Sequence, residues 1–139
     1  MDAVIPKSLY ITIRNYSEIY ALRKKWGALH YYRFAVMNGK NLIESKKIAP
    51  SGEQWMAFWD RVNDIGIWQW KPYYPNPGVL DGDKWEIDIA VGKQRISSQG
   101  EGNYPKQNYS LSQNELGRSK TFLDFITAVR DLIGGLPFS

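Results

Sequence analysis

Cysteine is absent from this 139-residue chain. That removes disulfides, thiolate nucleophiles and cysteine-based zinc or iron–sulfur sites together. Histidine is scarce. His30 is the single one, so an imidazole metal site or a Ser-His-Asp relay would rest on it alone. It stands at the start of an apolar strand, where a structural role is the simpler reading. No stretch approaches the roughly 18 apolar residues of a membrane-spanning helix, and Met1 to Pro6 lack a basic and then apolar leader. A cytoplasmic protein without membrane contact is expected. Strong charge of one sign is also missing: 18 basic and 14 acidic residues leave a net +4, which permits an acidic partner without requiring one. Glycines in phosphate-loop spacing are absent too. Gly92, Gly100 and Gly102 lead into Asn103-Tyr104-Pro105 and open no helix, so no nucleotide cofactor is expected.

What the chain has is rings. Six Trp, nine Tyr and five Phe make up 14% of it, more than a domain of this length needs to fill its interior, so some should stay exposed. Apolar residues at 43% and charged residues at 23% are ordinary globular values, and the length suits one domain spanning 1–139.

Leu9, Ile11 and Ile13 alternate with Tyr10, Thr12 and Arg14, which predicts a strand over Ser8 to Arg14. Ser17 to Trp26 fits either a short helix capped by Ser17, with Ile19, Leu22 and Trp26 inward, or a further strand; Gly27 ends it. Leu29 to Met37 reads as a strand, Asn38-Gly39 as a hairpin turn and Asn41 to Ile48 as the return. Ser51 and Gln54 have the spacing of a capping box. Trp55, Phe58, Trp59, Val62 and Ile65 form one stripe of the helix they would start, and Gly66 stops it. Ile67 to Gly78 holds three prolines and four large rings, and reads as an extended connector with at most one short strand, pressed onto the body of the fold.

From Asp81 to Pro105 a hairpin has an evident inside and outside. Trp85, Ile87, Ile89 and Val91 fall on one face, and Lys84, Glu86, Asp88 and Ala90 on the other. It turns at Val91-Gly92-Lys93, and its polar second arm, Gln94 to Ser98, is predicted to be a sheet edge. Gln99 to Gly117 reads as a long loop. Ser119 then caps a last helix with Phe122, Phe125, Ile126, Val129, Leu132 and Ile133 inward, ended by Gly134-Gly135. A strand-turn-strand-helix layout thus occurs twice, at 29–66 and 85–134. The expected class is α+β: a two-layer antiparallel sheet of four to six strands with two amphipathic helices on one face, built from those two units. The layout resembles that of small bacterial domains in which a D-G turn precedes an alternating strand, a resemblance that carries over no functional residue.

Asp81, Asp83, Glu86 and Asp88 cluster closely and invite a metal or acid–base reading. Turn chemistry for the first two and a shared solvent face for the others account for them, so neither a metal nor a catalytic group is expected. The informative constellation joins rings to cations. Trp68, Trp70, Tyr73 and Tyr74 lie in the connector, and Lys93, Arg95, Asn103 and Tyr104 in and after the second hairpin. They suit a non-enzymatic accessory subunit that docks on another protein, since Tyr, Trp and Arg dominate binding hot spots. The alternative is weak, sequence-tolerant binding of single-stranded nucleic acid on an aromatic and basic sheet face, by the same rings together with Arg14, Arg33, Lys93 and Arg95, with Tyr10 and Tyr31 as outward-or-inward candidates on the strands.

Overall fold

A computed structural model describes residues 5–37, 39–76, 83–105 and 118–139. Strands β1 (Ser8–Arg14), β2 (Glu18–Lys25), β3 (Ala28–Ala35) and β4 (Asn41–Ile48) precede helix α1 (Gly52–Asp64). A 3-10 turn (Ile67–Gln69), β5 (Tyr73–Tyr74), β6 (Lys84–Val91), β7 (Gln94–Glu101) and α2 (Lys120–Leu132) follow. The strands form one seven-stranded sheet in the order β4-β3-β2-β1-β6-β7-β5, antiparallel except where β5 runs parallel to β7. The protein is α+β.

Period-two burial sets the register. Leu9, Ile11 and Ile13 on β1 stand opposite Ile89, Ile87 and Trp85 on β6, and Ile11 and Ile13 stand opposite Leu22 and Tyr20 on β2. A slip of one residue would turn every one of these side chains to water, so the pairing is strongly specified. The buried strand residues and the inward stripes of α1 and α2 belong to one continuous core. Both helices start as the sequence predicts. Gln54 donates its backbone N–H to Ser51 Oγ at 3.1 Å and accepts from the Ser51 N–H at 2.8 Å, a complete capping box, while Phe122 donates to Ser119 Oγ at 3.1 Å.

One open choice is settled, two expectations change, and the C-terminal tail adds a further feature. Ser17 to Trp26 takes the strand option: Asn15 Oδ1 accepts from the Ser17 and Glu18 N–H groups to make the turn, and Trp26 and Gly27, at φ 51° and 78°, make the tight hairpin that returns to β3. Trp26, placed inward by the helical option, is 90% exposed. The sheet has seven strands rather than four to six, because β2 and β5 join it. The second hairpin arm is not the edge, since β5 pairs with it at Tyr73 opposite Gln99 and Tyr74 opposite Gly100. On the other side β4 is the edge, blunted by Lys46, Lys47 and a bulge opposite Arg33 and Phe34. Finally, the C-terminal tail is structural. Phe138 is fully buried beside the rings of Tyr20 and Tyr31, and Tyr31 Oη donates to the Pro137 carbonyl at 2.5 Å.

Gly100 is a tight point in the sheet. A Cβ there would sit 2.6 Å from the Asn103 carbonyl oxygen and closer still to the Trp85 indole, which is itself buried in the core. Gly100→Ala should therefore cost about 1–3 kcal/mol or more by overpacking. At Gly92 nothing lies within 4 Å of a built Cβ, although its φ of +57° carries its own strain. Gly92→Ala should cost about 1 kcal/mol. Urea unfolding of both variants checks the order; equal midpoints would remove the proposed clash.

Candidate functional site

The residues expected to meet a partner fall into three separate places. Trp70 and Tyr104 are in the core, 8% and 3% exposed. Trp70 lies against Trp85, Phe122 and Phe125 because the connector folds back over the hairpin. Asn103 is a clasp. Its Nδ2 donates to the Pro75 carbonyl at 2.9 Å and its own carbonyl accepts the Trp85 indole N–H at 2.9 Å. Tyr74 is half-buried, its hydroxyl accepting from the Lys71 N–H. Trp68 stacks on Trp59 at 6.3 Å, donates to Asn63 Oδ1 at 2.6 Å, and lines a groove with Met56 and Lys93. Arg95 is exposed near Asp88, and Tyr73 reaches the other side of the sheet.

The acidic cluster separates in the same way. Asp83 points inward, where Arg118 Nε and Nη2 donate to its Oδ2 at 3.0 and 2.6 Å and Tyr104 Oη donates at 3.2 Å. Glu86 and Asp88 point outward, and Asp81 lies outside the described residues. Among the described residues no three His, Asp or Glu side chains converge on a metal position. The loop expected at 99–117 begins as strand to Glu101, and 106–117 lie outside the described residues.

The face of the sheet turned away from the core has a different order. Pairing aligns three cross-strand rows. One runs Lys47, His30, Arg23, Tyr10, Asp88; the next Ser45, Tyr32, Ala21, Thr12, Glu86, Gln99, Tyr73; the third Leu42, Phe34, Ile19, Arg14, Lys84, Glu101. The middle row has the small Ala21 and Thr12 at its centre, so it forms a furrow between two taller rows. From β1 to β4 this face carries Arg14, Arg23, Lys25 and Lys47 and no carboxylate, because Glu18 and Glu44 point the other way, to Arg33 at 3.5 and 3.7 Å. Arg33, one of the cations expected to touch nucleic acid, is thereby neutralised on the core side. Tyr31 likewise is in the core. Tyr10, with Arg23 5.6 Å over its ring, and the stacked pair Tyr32 and Phe34 supply the rings that remain. At the β6 end the furrow deepens into a depression of about 310 Å³ between Tyr10, Thr12, Arg14, Tyr73, Lys84 and Glu86.

Arg23, Lys47 and Tyr32 were not singled out from the sequence, although a signal existed: once Leu9, Ile11 and Ile13 are assigned inward, alternation places every even residue of β1 outward, and pairing extends the rule across the sheet. In comparisons with known proteins, no family model and no curated protein matches the chain.

Two outcomes test the buried cluster. Arg118→Met should cost about 3–5 kcal/mol by stranding the Asp83 charge, and Asp83→Leu added to it should restore most of that loss, read by urea unfolding. Burial, and then the Asp83 charge, push Tyr104 up to about 12, and burial with Glu18 does the same to Tyr20. The raised values mean that the folded protein holds these protons more tightly than the unfolded chain. Their contribution is complete below pH 10 and is lost as pH rises towards 12. Tyr104→Phe should flatten the fall in unfolding midpoint over that interval; an unchanged slope would show that Tyr104 is not protected.

Proposed function

We propose that this chain is a non-enzymatic binding module that holds single-stranded nucleic acid on the sheet face turned away from the core. The observation that carries this reading is the sorting of charge. Four cations and three rings share the β1–β4 part of that face, while the carboxylates of the face are confined to Glu86, Asp88 and Glu101 on β6 and β7. Cations track phosphates, and rings stack on bases of any sequence. In this reading the molecule is one domain of two layers, made of the units 29–66 and 85–134, with both helices behind the sheet and the furrow left open to a strand. From β3 to β5 the middle row crosses five strand spacings, about 24 Å, enough for a few nucleotides laid along it.

Trp26 fits the same reading. A bulky side chain held in the left-handed region and 90% exposed adds nothing to the core, and Lys25 Nζ lies 4.8 Å over its ring. Strain kept at an exposed ring is what a contact position looks like. The competing reading, protein docking, narrows to the groove at Trp68 and Lys93.

Fluorescence anisotropy of a short labelled single strand of mixed sequence tests the proposal. Affinity should fall with salt with a log–log slope of about −2 to −3, from three or four phosphate contacts. Arg23→Ala with Lys47→Ala should lower that slope by about one unit, and Tyr32→Ala should cost about 1–3 kcal/mol of binding. Trp26→Asn should raise stability by about 1 kcal/mol while weakening binding. No binding at low salt would end the proposal, and a protein partner lost on Trp68→Ala would replace it.

A further inference from the structure

We infer that the depression at the β6 end of the furrow is a guanine-nucleotide subsite, an inference that rests on the nucleic-acid reading and gives it a preferred base. Arg14 and Lys84 stand directly opposite each other across β1 and β6, and among the described residues neither enters an ion pair. On its other side Lys84 faces the Glu101 carboxylate, which also lines the depression, whereas Arg14 faces Ile19. The like-charge contact between Arg14 and Lys84 therefore favours an anion on the Arg14 side, and a phosphate supplies it. Glu86 lies one step further down the furrow, opposite Thr12 and beside Gln99, exposed and likewise outside any ion pair among the described residues. The small Thr12 leaves space above itself between Tyr10 and Arg14, whose Cα atoms are about 13 Å apart along the strand.

Two rings, Tyr10 and Tyr73, also line the depression, 36% and 46% exposed; Arg23 lies over one face of Tyr10, so a base would stack on Tyr73 or on the opposite face of Tyr10. A base stacked there presents its Watson–Crick edge to Glu86. An ionised carboxylate only accepts hydrogen bonds. Guanine alone among the four common bases offers two adjacent donors on that edge, N1–H and the N2 amino group, and so meets both carboxylate oxygens. Adenine and cytosine set an acceptor beside their donor, and uracil flanks its one donor with acceptors. Gln99, next in the row, adds an amide that can donate to guanine O6. The volume, about 310 Å³, is at the lower end for small-ligand sites and accommodates one nucleotide.

The experiment titrates the full chain with the 5′-monophosphates of guanosine, adenosine, cytidine and uridine, followed by amide NMR shifts, alongside the mixed-sequence strand. Guanosine monophosphate should bind about tenfold more tightly than the others, as one bidentate pair allows. Glu86→Gln, on an exposed position that leaves the core untouched, should abolish that preference, bringing guanosine monophosphate to within about twofold of the other three. Equal affinities for the four nucleotides, or a preference that survives Glu86→Gln, overturns the inference and leaves the open-face reading standing if the strand still binds. Failure of the strand itself to bind at low salt overturns both.

Discussion

The indole of Trp85 is the contact around which the second half of the chain closes. It lies on β6 directly opposite Gly100, which has no side chain to keep it away, and its N–H is taken by the Asn103 carbonyl. Trp70 from the connector, Tyr74 from β5 and Phe122 from α2 pack on the same ring at 6.1, 5.7 and 5.1 Å. Four segments distant in sequence therefore depend on one side chain and one missing one. Beside it the Asp83–Arg118 pair joins the strand entrance to the helix entrance, and Ser119 both caps α2 and donates to the Pro105 carbonyl. A buried ion pair of this kind is weak evidence for added stability, but it is costly to break from one side.

This closure has a consequence for function. Rings that look like contact points when read along the chain are consumed in building the fold, and the interior takes Trp70, Tyr104 and Tyr31. What remains for a ligand is set by the sheet, whose inward face is apolar and whose outward face keeps Tyr10, Tyr32, Phe34 and Tyr73 among cations. The same alternation that buries one face presents the other as an ordered array, with side chains at fixed spacing across strands. In the proposed reading that array matches the recurrence of phosphates and bases along a strand.

Charge follows the same geometry. Glu18 and Glu44 share their side of the sheet with Arg33 and neutralise it, which leaves the cations of the opposite side without local carboxylates until β6. A net charge of +4 says little about this, because the excess is not spread evenly over the surface.

The elements that short-range periodicity controls were legible in the residues themselves: the alternation of Ser8 to Arg14 and Lys84 to Val91, the Ser51–Gln54 capping box, the two apolar helix stripes, and the chemistries closed by missing cysteine. These depend on neighbours two to four positions apart, which the chain carries locally. Whether Glu18 to Lys25 is helix or strand, which rings are sealed, and which residues share the furrow depend instead on pairing between strands far apart in sequence. Arg14 meets Lys84, and Thr12 meets Glu86, only because the summed burial of Leu9, Ile11 and Ile13 against Ile89, Ile87 and Trp85 selects one register over its neighbours. No local pattern contains that sum, so the candidate site came into view with the assembled sheet.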